Sequence, residues 1–137
     1  MNKIEKEILN LYATDCSIGE ISYSMMGKML DERYVKERLQ LFDIKEMYLY
    51  AGSYLAVQLY RAASKYISIK GIVDKNGKIP VSDNIPVFIL DDLKKQYNGE
   101  KIVVTSVRYY LEIKKELEQF IESRNIIFIG ELMFGIA

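Results

Sequence analysis

Along the first 45 residues, apolar side chains form stripes at spacings of three and four, the period of helices with one buried face. Ile4, Ile8, Leu11 and Tyr12 form the first such stripe. Asp15-Cys16-Ser17 interrupts it, and Ser17 with Glu20 makes a capping box that opens a second helix carrying Ile18, Ile21, Met25 and Met29 on one face. Gly27 weakens the continuity of that helix. Asp31 is placed to cap a third helix, with Val35, Leu39 and Phe42 as its apolar stripe and Glu32 and Lys36 paired outside.

At Lys45 the period changes. Met47 to Ala51 is a short apolar run, followed by Gly52-Ser53 and a helical stretch from Tyr54 to Ala63. Tyr66 to Asp74 reads as a second strand ending in an acid, and Lys75-Asn76-Gly77 as a tight turn. Ile85 to Leu90 is a short third strand whose Pro86 suits a sheet edge. Asp91-Asp92 opens a helix running to Tyr97, closed by Asn98-Gly99. Ile102-Val103-Val104-Thr105-Ser106 has no polar alternation, as a strand buried on both faces requires. Tyr110 to Arg124 is amphipathic, with Leu111, Leu117, Phe120 and Ile121 inward, and Ile126 to Ile129 is a last buried strand.

Strands alternating with helices need crossovers, and crossovers are right-handed. The expected architecture is therefore α/β in three layers: a five-stranded parallel sheet of order 3-2-1-4-5 over residues 46–137, with an N-terminal helical appendage over 1–45. In such a sheet the ligand crevice lies at the C-terminal end of the first strand, where the chain switches sides.

Composition narrows the chemistry. Half of the 137 residues are hydrophobic, and at this length about 68% of the unfolded chain's surface can be buried. There is no histidine, which removes a histidine base, a serine–histidine–aspartate triad and a histidine metal ligand. The single cysteine, Cys16, excludes an intramolecular disulfide and a CxxC site, and reads as a small buried hydrophobe. Nineteen basic and nineteen acidic residues cancel, and no basic stripe interleaves the eleven tyrosines, so neither nucleic acid nor an anionic membrane is an expected partner. A charged opening Met1-Asn2-Lys3-Ile4-Glu5 and the lack of a long apolar run give a cytoplasmic expectation.

The chemistry-bearing candidate is the first strand–helix junction together with Asp74. A dinucleotide fingerprint places three glycines at that junction: one for the turn, one for close approach of the pyrophosphate, one for helix–strand packing. Here the stretch is Tyr50-Ala51-Gly52-Ser53-Tyr54-Leu55, and only the middle glycine, Gly52, is present. Asp74 follows it by 74 − 52 = 22 residues, near the spacing of a ribose-binding acid. Tyr50 and Leu55 in the outer glycine positions disfavour NAD(P) as cofactor. Each residue has a plain alternative. Gly52 serves a ligand or only a tight turn; Asp74 binds ribose or initiates the turn at Lys75-Asn76-Gly77. Thr105 and Ser106 face the crevice or cap the next helix. Arg108 and Tyr109 offer a phosphate partner and a stacking ring or belong to a solvated face. Glu112 and Glu116, four residues apart, read as a helix exterior.

Leu49-Tyr50-Ala51-Gly52, Gly71-Ile72-Val73-Asp74 and Ile85-Pro86-Val87 occur in the order found in a known group. Over Met47 to Ile129 the chain resembles the Rossmann-like nucleotide-binding domains attached to bacterial sugar acyltransferases and nucleotide-sugar dehydratases of surface-polysaccharide biosynthesis. The resemblance implies a small module binding a nucleotide or nucleotide sugar, with Gly52, Ser53, Asp74 and Ser106 as its site. In that reading the start of the helix after Gly52 takes the phosphate and Asp74 the ribose. Two other functions remain open on the sequence. One is an NAD(P)-dependent oxidoreductase or a fragment of one, with Tyr109 or Lys114 as proton donor. The other is a structural module that dimerises through N-terminal helices bearing Met25, Met26 and Met29.

Overall fold

A computed structural model of the protein describes residues 27–29, 31–82 and 84–134. The first expected helix, the Ser17–Glu20 capping box, Cys16, Met25 and Met26 lie outside the described residues; of the second helix, 27–29 are described and helical, with Met29 buried.

The elements run α1 (Glu32–Leu41), β1 (Glu46–Tyr50), α2 (Tyr54–Ala63), β2 (Ser68–Val73), β3 (Val87–Phe88), α3 (Leu90–Gln96), β4 (Lys101–Val104), α4 (Tyr110–Leu117), a short 3-10 turn (Ser123–Asn125), β5 (Ile126–Phe128) and α5 (Ile129–Phe134). All strand pairs are parallel and the sheet order is β3-β2-β1-β4-β5. The chain therefore reverses direction across the sheet between β1 and β4. Right-handed crossovers then put α2 on one face and α3 and α4 on the other.

The core follows the apolar runs. Met47 and Leu49 in β1 and Ile102, Val103 and Val104 in β4 are all 0% exposed, as a strand pair covered on both faces should be. β1 and β2 pair with a bulge: Met47 faces Ile69, Tyr48 faces Gly71, and Lys70 is the extra residue. Gly71 is small because Phe88 lies over it; a β-carbon there would sit 2.5 Å from Phe88 Cε2. Lys70 Nζ reaches the buried Glu100 carboxylate at 2.7 Å, and Asn98 N–H donates to the same carboxylate at 2.7 Å. Burial alone would raise the Glu100 pKa. The hydrogen bonds from Lys70 and from the backbone N–H groups of Glu100 and Asn98 outweigh it and hold the carboxyl below its ordinary value.

Asp31 caps α1 by accepting the Tyr34 N–H at 3.2 Å, and Val35 and Leu39 enter the common core while Phe42 packs at its edge. α1 packs on α2 and α5. Arg38 Nε donates to the Leu132 carbonyl at 2.7 Å and the Tyr34 hydroxyl donates to the Met133 carbonyl, so α1 closes the C-terminal end of α5.

Three expectations need correction. The third strand is two residues long, because 84–86 carries the proline-bearing approach to the sheet: Pro86 has no N–H to give and only accepts the Ile72 N–H at 2.9 Å, and the paired register is Val87 and Phe88. The helix from Tyr110 ends at Leu117, not Arg124. Its end tightens into three-residue turns, with Gln119 N–H to the Glu116 carbonyl and Phe120 N–H to the Leu117 carbonyl, which set Phe120 edge-on to Tyr97 at 6.2 Å. Leu111 is exposed at 38%; Tyr110, stacked on Phe128 at 4.5 Å, takes the inward place instead.

Candidate functional site

The C-terminal ends of β1, β2 and β4 and one face of α4 enclose a cleft of about 360 Å³ lined by Tyr50, Ala51, Asp74, Lys75, Ser106, Tyr109, Glu112, Ile113 and Glu116. It opens where the chain switches sides, the place a parallel sheet of this order offers a ligand.

Its floor is Tyr50. The residue is 6% exposed, and among the described residues its hydroxyl has no hydrogen-bond partner. Burial, with the Glu116 and Asp74 carboxylates next in effect, pushes its pKa up to about 12, so the hydroxyl keeps its proton at any physiological pH. Beside it, Ala51 has φ of 98°. A residue with a β-carbon held there costs about 1–3 kcal/mol, and such strain clusters at ligand sites. The conformation is anchored on both sides: Ala51 N–H donates to the Val73 carbonyl at 2.8 Å, and its carbonyl lies 3.1 Å from Thr105 Oγ1. Thr105 is buried, and its hydroxyl also lies 3.1 Å from the Tyr50 carbonyl; the side chain ties β4 to β1 instead of facing the cleft.

The unusual turn angle thus falls on Ala51, and Gly52 has another duty. A β-carbon on Gly52 would lie 2.3 Å from the Lys78 carbonyl oxygen and 2.8 Å from Asp74 Oδ1. The close approach that this glycine permits is made by the chain's own 74–78 loop. Gly52 N–H donates to Asp74 Oδ1 at 2.9 Å, and Asp74 Oδ2 accepts from Asn76 N–H at 2.9 Å and Lys78 N–H at 3.3 Å. Gly77 closes the turn with φ of 67° and an N–H to the Asp74 carbonyl at 3.1 Å. Asp74 is therefore both a wall of the cleft and the clasp of this loop. A carboxylate offers about four acceptor positions, so Oδ1 keeps one for a ligand.

Of the four residues expected at the site, Asp74 and Ser106 line the cleft, while Gly52 lies beneath the 74–78 loop and Ser53 caps α2 by accepting Ala56 N–H at 3.3 Å. Ser106 Oγ accepts Tyr109 N–H at 3.2 Å, which organises the turn into α4 and leaves its hydroxyl hydrogen available. Tyr109, half-exposed at 53%, stands at the mouth. Arg108 is exposed and does not line the cleft.

Glu112 and Glu116 were read from the sequence as helix exterior, and they are exposed, yet their face is the cleft wall. The signal was legible: Tyr109, Glu112, Ile113 and Glu116 fall at i, i+3, i+4 and i+7, one face of a helix that begins directly after the switch-point strand. The wall is acidic, with Asp74, Glu112 and Glu116 against Lys75. Among the described residues no cluster of carboxylates or cysteine could hold a metal ion, and no helix is long and apolar enough to cross a membrane. Compared with known proteins, the chain matches no family model, no curated protein and no solved structure.

Proposed function

We propose that the protein is a small binding module that holds a nucleotide or nucleotide sugar, by its nucleoside or sugar portion, in the cleft at the end of β1, as an accessory to sugar modification or polysaccharide synthesis. The observation that carries this reading is the Tyr50 hydroxyl, buried at the floor of a switch-point cleft without a partner among the described residues. Buried polar groups are almost always bonded, so a hydroxyl beside a cleft without a protein partner favours a ligand that hydrogen-bonds there. Asp74 Oδ1 and the Ser106 hydroxyl flank it as further hydrogen-bonding groups, and the Tyr109 ring offers a face for stacking.

An NAD(P) oxidoreductase has less support. Its pyrophosphate would need the Gly52 N–H and the space above it, and that N–H is bonded to Asp74 while the Lys78 carbonyl fills the space. Titration calorimetry with uridine, UDP-glucose and NAD at physiological salt tests the proposal. Saturable binding of uridine or UDP-glucose, weakened by Tyr50→Phe, is expected, with NAD weaker. Low-micromolar NAD binding, about −8 kcal/mol, would move the oxidoreductase ahead.

A further inference from the structure

The charges and donors around the cleft specify more than its shape. Three carboxylates, Asp74, Glu112 and Glu116, face one ammonium, Lys75. The feature that draws phosphate into a sheet of this kind is the run of free N–H groups at the start of the first crossover helix. Here Ala56 N–H is taken by Ser53, Gly52 N–H by Asp74, and neither Gly52 nor Ser53 reaches the cleft. A phosphate inside would meet three carboxylates against the single ammonium of Lys75, and no backbone donor array. A metal ion has no ligand cluster among the described residues. An independent observation is Tyr50, a side chain more than nine-tenths buried that lines the same cleft and whose hydroxyl has no partner among the described residues.

Building on the nucleoside or sugar reading above, we propose that the part of the ligand entering the cleft carries a protonated amine. The ammonium lies between Glu116 and Asp74 and donates to the Tyr50 oxygen. An ammonium has three donors and no acceptor, which suits a site built of carboxylates and a phenol. The half-exposed Tyr109 ring at the mouth adds a face that attracts cations. Any phosphate on the ligand lies toward the exposed Lys75 side of the cleft.

Four probes separate the charge from the scaffold: adenosine, 5′-amino-5′-deoxyadenosine, adenosine 5′-monophosphate and agmatine, each titrated by calorimetry at neutral pH. The expected order is the aminonucleoside at least tenfold tighter than adenosine, with the monophosphate weakest. The double variant Glu112→Gln/Glu116→Gln, changed only at exposed positions, should keep its circular dichroism spectrum and lose most of that tenfold preference. Tyr50→Phe should weaken the aminonucleoside severalfold. Equal binding of adenosine and its amine, or a monophosphate bound as tightly as adenosine, overturns the amine and leaves the nucleoside reading standing. Agmatine binding that the double variant abolishes, with no nucleoside bound, supports the amine and overturns the nucleoside reading. No binding of any probe overturns both.

Discussion

Replacing Gly52 with alanine places a methyl group where the structure has no room. Its β-carbon would lie 2.3 Å from the Lys78 carbonyl oxygen, against a practical minimum of 3.0 Å, so that backbone must retreat by about 0.7 Å. The obstacle is a loop carbonyl and not the end of a flexible side chain, and Asp74 clasps the loop to Gly52, Asn76 and Lys78. Overpacking of this kind costs about 1–3 kcal/mol. Retreat of the loop also stretches the Gly52–Asp74 hydrogen bond, whose carboxylate acceptor makes it worth about 1.5–3 kcal/mol. Gly52 does not need a positive φ, so alanine adds no backbone strain, and its stiffer unfolded chain returns about 0.4–1 kcal/mol. The net expectation is a loss of about 2–4 kcal/mol. Urea unfolding followed by circular dichroism reads it as a midpoint lower by about 0.7 M or more, given slopes of about 1–3 kcal/mol per molar. A double-mutant cycle with Asp74→Ala should be non-additive, because the first change already spoils the bond that the second removes. A Gly52→Ala midpoint within about 0.2 M of wild type would show that the 74–78 loop yields freely and that the clasp is not structural.

Three further perturbations test other parts of the account. Tyr50→Phe keeps the buried ring and removes a hydroxyl with no partner among the described residues, so the melting temperature should hold or rise by up to a few degrees; a fall of more than about 5 °C in calorimetry would mean that the hydroxyl is bonded in the native protein. Val104→Asp puts a charge in a central strand at a position that is 0% exposed, and a soluble variant that still melts cooperatively would contradict the buried β4. The Glu100 carboxyl is held below its ordinary pKa of 4.5 in the folded state, so its contribution is full above that pH and is lost as pH falls through the lower native value. The stability gap between wild type and Glu100→Gln should accordingly be widest near neutrality and close under acid, and a gap that widens on acidification in urea titrations would reverse the assignment.

The sheet order was legible because it follows from element order and the handedness of crossovers, which local errors do not disturb. The Ile102–Val104 run announced its central place by lacking any polar alternation. Boundaries were less legible where a tertiary contact decides them: the Tyr97–Phe120 packing accompanies the early end of α4, and Tyr110 takes the inward place that spacing alone assigned to Leu111. α5 went unread because six residues directly after a buried strand offer too little period to separate helix from strand. At the site, the 22-residue interval from Gly52 to Asp74 was visible, but not that the two residues bond to each other. Glu112 and Glu116 looked solvated because they are; that solvent on their face is the cleft depends on where α4 docks on the sheet.

The bonds from α1 to α5 bear on how the chain is made. Tyr34 and Arg38 find their acceptors at Met133 and Leu132, 99 and 94 residues later. During synthesis the sheet can begin to zip from β1 and β2, which are near neighbours in sequence, but α1 has only α2 to pack on until residues 129–134 have left the ribosome. At about 5–20 residues per second, the side of α1 that meets α5 stays open for about 5–20 s while nearly a hundred residues are added. Contacts of such long reach also slow the final closure, because the loop entropy is lost before the contact is gained. A released chain ending before Ile129 would have its sheet strands complete but lack the α5 surface on which α1 closes, the form in which this protein would most depend on a chaperone.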